Sequence, residues 1–401
     1  MTKRSIGENR RISICVLTTT RADYGILRPL LFRLMEDSAF DLRVAVSGTH
    51  LSPAFGMTVS EIEEDGLPID CRIPILFEEN DSPKTMSCVM ARALEGFSVY
   101  FENCRPELLV VLGDRFEAFA VCAAAVNNRI PIAHLHGGEA TEGLMDECFR
   151  HAITKMSYLH FTSTEVYRKR VIQLGEAPSR VFNVGAMGVE NALQVKRISP
   201  NQMELDLRFP LFQRPYVVLT YHPVTLEPES AHEHIENLLS AIHERNDLNF
   251  LITKSNVDLG GEYFNQMLDS FSETHENCCV VSSLGVRRYM SVLDRAMCVM
   301  GNSSSGIVEV PSFGIPTINI GNRQRGRVQA NSVINCLPVK RDILRSLDLA
   351  QSKDFRAKAA ATINPYGDGK TSERICEIVR NAFLSSAIDL RKAFYDIPFS
   401  C

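Results

Sequence analysis

Tryptophan is absent from the 401 residues, no two cysteines stand in a C-x-x-C spacing, and no apolar run approaches the length that crosses a bilayer. The missing tryptophan decides nothing about function. The missing cysteine pairs exclude a zinc ribbon or a thioredoxin-like redox motif, and the 12 cysteines are scattered, several inside apolar runs (Cys15, Cys122, Cys298), so they read as reduced core thiols. The opening MTKRSIGENRRIS is polar and has no apolar signal core, so a cytoplasmic location is expected, with no membrane partner. There is no excess of positive charge either. With 43 basic and 48 acidic side chains the formal net charge is −5, which argues against nucleic acid as the main partner, although a small anion needs only a local basic cluster. No internal repeat and no low-complexity tract interrupts this ordinary globular composition.

What the chain does have is alternation. Short β-rich apolar runs, Ile12–Leu17, Leu42–Val46, Leu108–Leu112, Ile130–Leu135, Leu159–Ser163 and Val181–Val184, are separated by helical stretches. After a polar, proline-bearing interval from Asn191 to Pro215, the pattern resumes with Tyr216–Thr220, Asn249–Thr253, Cys279–Val281, Met297–Met300 and Thr317–Ile320. Runs apolar on both faces and separated by helices indicate parallel sheets covered on each side, hence an α/β protein of two Rossmann-like domains. The expected divisions are 1–190, 191–380 and a closing segment 381–401 that packs back on the first domain.

In such sheets ligands sit at the carboxyl ends of the strands, and this chain has chemistry there. Gly301-Asn302-Ser303-Ser304-Ser305-Gly306 follows one strand and precedes a helix-like run from Ile307, so its hydroxyls and N–H groups should crown a helix end that attracts phosphate. Glu309 is spaced to accept hydrogen bonds from ribose hydroxyls, and Arg323 lies in an arginine-rich loop just downstream. In the first half, Thr18-Thr-Thr-Arg21 follows the first strand, Gly113-Asp114-Arg115 another, and His136-Gly137-Gly138-Glu139 a third; Asp146 opens a helix soon after. Converging carboxylates raise at least one pKa and suit acid–base work. Each also has an ordinary alternative: Asp146 as a helix cap, Glu139 as a partner of Arg150, Asp114 as a partner of its neighbour, Arg21 as a partner of Asp23. His222 and the Lys254–Asp258 stretch, with Asn256 and Asp258, end two strands of the second half. His134 and His136 imitate a metal pair without a third ligand at a familiar spacing.

Taken together, TTTRADYG (18–25), VLGDRFE (111–117), HLHGGE (134–139), DECFRHAITKMS (146–157), TSTEVYRKRVIQLGE (162–176), YHPVT (221–225), GNSSSG (301–306) and NIGNRQRGR (319–327) closely resemble the hydrolysing UDP-N-acetylglucosamine 2-epimerases of sialic acid biosynthesis. The resemblance runs from Arg11 to about Pro398. It implies two Rossmann-like domains in a GT-B arrangement with the UDP-sugar in the cleft, the carboxylates in the first domain and the UDP contacts in the second. It also implies no metal, no cofactor, and a homodimer or homotetramer. By motif, Asp114, Glu139, Asp146 and His222 match catalytic positions. Arg21, Arg115, Asn256, Asp258, Ser303, Ser304, Glu309 and Arg323 match UDP-sugar contacts, and Gly25-Ile26 departs from the Ser-Lys that several relatives carry. The implied reaction eliminates UDP to 2-acetamidoglucal and hydrates it to N-acetylmannosamine. Three alternatives stay open: the same chemistry on UDP-N,N'-diacetylbacillosamine, the non-hydrolysing epimerisation, and a non-catalytic UDP-sugar-binding regulator.

Overall fold

The computed structural model describes residues 10–77, 82–140, 145–222, 228–254, 261–384 and 388–398, the side chains of 228–231 and 261–263 excepted. The chain divides into two compact units, residues 1–191 with 369–401, and residues 192–368. The first unit is built on a parallel sheet of β1 (Ile12–Thr18), β2 (Phe40–Ser47), β3 (Ile69–Ile73), β4 (Leu108–Leu112), β5 (Ile132–Leu135), β6 (Leu159–Thr162) and β7 (Val181–Asn183), in the order β3-β2-β1-β4-β5-β6-β7. The second holds β8 (Tyr216–Thr220), β9 (Asn249–Thr253), β10 (Cys278–Val281), β11 (Cys298–Gly301), β12 (Thr317–Ile320) and β13 (Val333–Cys336), in the order β10-β9-β8-β11-β12-β13. Both are doubly wound α/β folds of the Rossmann type. Strand order reverses between β1 and β4 in one sheet and between β8 and β11 in the other, and a crevice opens at such a reversal.

Alternation of side chains explains why the central strands read as continuous apolar runs. In β1, Ile14 and Val16 face one layer with Leu27 and Leu31 of helix Arg21–Glu36, while Cys15 and Leu17 face the other with Phe97, Phe101 and Val121. Fully burying one such Leu or Phe contributes about 1.5–3 kcal/mol. The second sheet is covered likewise, Leu219, Phe250 and Met300 on one face and Val218, Leu251 and Val299 on the other. β3 and β13 lie at sheet edges, and their residues alternate between partly buried and exposed or buried positions. A search for runs apolar on both faces therefore passes over them.

The return to the first unit begins at Gly369, earlier than the 381 expected from sequence. Helix Thr371–Leu384 explains why: the Ser372 N–H donates to Glu190 Oε2 at 2.6 Å, Arg33 Nε donates to Ser372 Oγ at 2.9 Å, and Arg380 pairs with Asp37. Beyond it, Lys392 Nζ reaches Glu176 Oε2 at 2.8 Å and donates to the carbonyls of Lys155 (2.9 Å) and Ser157 (2.6 Å). The Tyr395 N–H donates to the Gly175 carbonyl at 2.9 Å, and Phe394 lies over Gly175, where a Cβ would be 2.2 Å from the ring.

Candidate active site

In the first unit the polar turn after β1 is organised by Asp23. Its carboxylate accepts from Thr18 Oγ1 (2.6 Å), from Thr19 N–H and Oγ1 (2.9 Å each) and from Thr20 N–H (3.0 Å), while Thr20 Oγ1 accepts the Asp23 N–H at 3.2 Å, a capping box at the start of helix Arg21–Glu36. Burial opposes the charge on Asp23, but hydrogen bonds from His50, Thr18 and the Thr19 and Thr20 N–H groups outweigh it and hold the pKa below its ordinary value. Arg21, two-thirds exposed, pairs with Glu61 at 2.8 Å and not with Asp23.

After β4, Gly113 turns with φ +75° and delivers Asp114 and Arg115. The Arg115 guanidinium forks onto Glu117, with Nε–Oε2 at 3.1 Å and Nη2–Oε1 at 2.5 Å, and Glu117 is buried. The partner of Asp114 is therefore not its neighbour but Arg150, whose Nε donates to Asp114 Oδ2 at 3.0 Å and whose Nη2 also pairs with it. Arg150 is only 2% exposed, and it also donates to Glu147 Oε2 (2.5 Å) and to the Glu139 main-chain carbonyl (2.7 Å). One buried guanidinium thus joins the loop after β4, the loop after β5 and helix Asp146–Met156.

Glu139 meets Arg150 through its carbonyl; its carboxylate turns elsewhere. Oε1 accepts Ser163 Oγ at 2.8 Å and lies 3.1 Å from His136 Nδ1. The glycines between hold this geometry: Gly138 has φ +77°, and a Cβ there would stand 2.5 Å from the Tyr167 carbonyl oxygen. Asp146 does not cap its helix, since Met145 occupies the cap position. Desolvation, reinforced by the charge of Asp114, raises the Asp146 pKa above its ordinary value, while Arg115 and Arg150 pull the other way. A carboxyl group held nearer its proton beside an ion-paired one is the arrangement that separates acid from base. His134 serves the fold: Nε2 is 2.7 Å from the Gly113 carbonyl, Nδ1 is 3.1 Å from Thr154 Oγ1, and burial lowers its pKa to about 3.

In the second unit the centre is Asn302, 1% exposed and between β11 and the serines. Its N–H donates to the Thr220 carbonyl (3.1 Å); its side-chain Oδ1 accepts the His222 N–H (2.8 Å) and its Nδ2 donates to the His222 carbonyl (2.7 Å), so the amide grips the main chain just past β8. Arg323 Nη1 (3.1 Å) and Gln324 Nε2 (2.8 Å) donate to the Asn302 carbonyl, bringing the arginine-rich loop to the same turn. Only glycine fits at 301, where φ is +131° and a Cβ would be 1.9 Å from the Thr220 oxygen. Ser303 is half-buried and Ser304 exposed.

The helix expected from Ile307 is a single turn, Ser305–Val308, followed by a 3₁₀ turn, Val310–Phe313. Pro311 has no N–H to continue the ladder and restrains Val310, and Gly314 closes the turn with φ +64°. A long macrodipole is therefore missing from the serine loop. Glu309 ends the turn, half-buried. Asn256 and Asp258 lie outside the described residues. Arg150, Glu117, Asn302 and Gln324 are the organising residues that motif reading did not assign to the site; their buried polar type within the motifs is the only signal they carry.

Both units thus set their polar loops at the strand-order reversal, the layout of nucleotide- and nucleotide-sugar-handling α/β enzymes. Residues 33–380 match the family model described as UDP-N-acetylglucosamine 2-epimerase. The chain is similar to polysialic acid biosynthesis protein P7 of Escherichia coli, 39% identical over 96% of this chain and 97% of that one. It is also similar to the hydrolysing GDP/UDP-N,N'-diacetylbacillosamine 2-epimerase of Campylobacter jejuni, 36% identical over 86% of this chain and 88% of that one. Among solved structures, the UDP-GlcNAc 2-epimerase of Neisseria meningitidis bound to UDP-GlcNAc superposes with a TM-score of 0.78 at 20% identity, over 92% of this chain and 100% of that one, a likeness of fold. The chain belongs to the UDP-N-acetylglucosamine 2-epimerase family, and it is an enzyme.

Proposed function

We propose that the enzyme is a hydrolysing 2-epimerase that converts UDP-N-acetylglucosamine and water to N-acetylmannosamine and UDP, in the cytoplasm and in the service of sialic acid synthesis. The observation that carries this reading is the Arg150-centred cluster, which gathers Asp114 and the Glu139 loop while Asp146, close enough to feel the Asp114 charge, has its pKa raised. A binder of UDP-sugars needs no such proton-transfer set. The C2 proton of the sugar is weakly acidic and becomes removable as the C1–O bond to UDP breaks. One group takes that proton, the C2–H electron pair becomes the C1=C2 bond of 2-acetamidoglucal, and the C1–O pair leaves with UDP. Water then adds to C1, and an acid returns a proton to C2 on the face that gives the manno configuration.

In this reading Ser303, Ser304, Arg21, Arg323 and His222 receive the departing diphosphate, Glu309 the ribose, and Arg115, Asn256 and Asp258 the remaining substrate contacts. The names of the relatives at 36% and 34% identity support a second substrate, UDP-N,N'-diacetylbacillosamine, for the same chemistry. The test is NMR of the products from each UDP-sugar in deuterated water. Free UDP and N-acetylmannosamine with one deuteron at C2 is the expected result from UDP-N-acetylglucosamine. A 2-epimer with UDP still attached would move the enzyme to the non-hydrolysing group, and turnover of the diacetylated sugar alone would select the second substrate.

A further inference from the structure

Among the unpartnered buried polar atoms of the first unit, His136 Nε2 stands at a strand end that carries the candidate site. The residue stands just past the carboxyl end of β5 with φ +65°, in the left-handed region that a non-glycine residue seldom occupies, and is held there by its N–H bond to the Phe161 carbonyl at 2.9 Å. Nδ1 lies 3.1 Å from Glu139 Oε1, and the Glu139 residue is 7% exposed. Nε2 is buried and has no partner among the described residues. An orphaned buried nitrogen costs about 1–3 kcal/mol, so its retention at a strand end beside the Glu139 carboxylate points to a ligand atom that completes it.

The chemistry of the pair fixes which nitrogen is free. Glu139 Oε1 already accepts the Ser163 hydroxyl, and a carboxylate can only accept, so Nδ1 carries the imidazole proton and Nε2 presents its lone pair. The side chain of His136 is 18% exposed and that of Glu139 10%, so the imidazole is the more accessible of the two. We propose that His136 Nε2, not the Glu139 carboxylate, is the base that removes the C2 proton of the UDP-sugar, and that Glu139 is a positioning residue that orients the neutral ring and stabilises the cation it becomes. This rests on the hydrolysing epimerase reading and deepens it. Nε2 takes the proton from C2, the C2–H pair becomes the C1=C2 bond, and the C1–O pair leaves with UDP. The Glu139 carboxylate, facing Nδ1–H, then stabilises the imidazolium, which releases the Nε2 proton to solvent before the next turnover.

The experiment measures UDP release by the full chain and four variants, alongside UDP affinity by calorimetry. His136→Asn is the first variant, because Asn tolerates positive φ and keeps the loop. It should bind UDP within about twofold of wild type and release UDP from the sugar about 100- to 10,000-fold more slowly. His136→Ala should be partly restored by added imidazole. Glu139→Gln, which still accepts from Nδ1, should lose less, about tenfold, and in the His136→Asn background the same change should cost nothing further, because a positioning residue has no effect once the group it positions is gone. Turnover of His136→Asn within about threefold of wild type would overturn the proposal, as would an undiminished Glu139→Gln loss in the double variant. A wild-type chain inactive on both UDP-sugars would instead overturn the underlying reading, an outcome distinguishable from the others.

Discussion

Replacing Glu176 by Gln should weaken the first unit measurably and in a pH-dependent way. Its carboxylate is fully buried and is held by His160 Nε2 (2.9 Å), Lys155 Nζ (2.7 Å) and Lys392 Nζ (2.8 Å). Burial alone would push its pKa up, but the hydrogen bonds from His160, Lys155 and Lys392 prevail and bring it from 4.5 down to about 2. At about 1.4 kcal/mol per unit that depression is worth at most about 3.5 kcal/mol. Screening through Lys155, which is 41% exposed, reduces it to about 2 kcal/mol. The sign follows from a lowered carboxylate pKa: the contribution is complete above the unfolded value of 4.5 and disappears as pH falls toward 2. At pH 7 Glu176→Gln should therefore unfold at lower urea than wild type by about 2 kcal/mol, and amide exchange in 388–398 should accelerate because Lys392 loses its counter-charge. At pH 3 less than half of the gap should remain. A gap of equal size at both values, or none at pH 7, would show that the network is not an ionic clamp.

Asn302→Ala removes both side-chain hydrogen bonds to the His222 main chain, so UDP affinity should fall about 10- to 100-fold, the equivalent of roughly 1.4–2.8 kcal/mol; unchanged calorimetric affinity in a folded variant would separate this turn from nucleotide binding. Asp114→Asn removes a charge that raises the Asp146 pKa, so the Asp146 carboxyl, followed by carbon-13 NMR, should titrate at lower pH than in wild type; an unchanged midpoint would leave desolvation as the sole cause.

The central strands are legible in the residues because burial on both faces writes a continuous apolar run, as in Leu108–Leu112 and Tyr216–Thr220. The edges are not. Ile69-Asp-Cys-Arg-Ile73 keeps one side toward solvent, and its mixed character could equally belong to a loop. Strand-end motifs likewise announce where chemistry sits but not which atom meets which. Asp114 stands beside Arg115 in sequence, yet pairs with Arg150 from another element because Glu117 already occupies the Arg115 guanidinium. Glu139 reads as a possible partner of Arg150, yet it meets that guanidinium only through its main-chain carbonyl, while its carboxylate turns to Ser163 and His136. A helix-like run reads on from Ile307, yet the helix is the single turn Ser305–Val308, and Pro311 keeps it from continuing.

The first unit is discontinuous, and the ribosome must respect that. Residues 192–368 emerge as one uninterrupted stretch and contain all of β8 to β13, whereas the earlier residues lack helix Thr371–Leu384 and the Lys392 anchor until the whole of that stretch has been made. Glu190, Asp37, Arg33 and Glu176 then wait with partners not yet made, and the later unit has every piece it needs before the earlier one does. Assembly should run against the chain order usual for multidomain proteins, and nascent chains halted before Gly369 should protect β8–β12 while leaving the earlier sheet open to proteolysis.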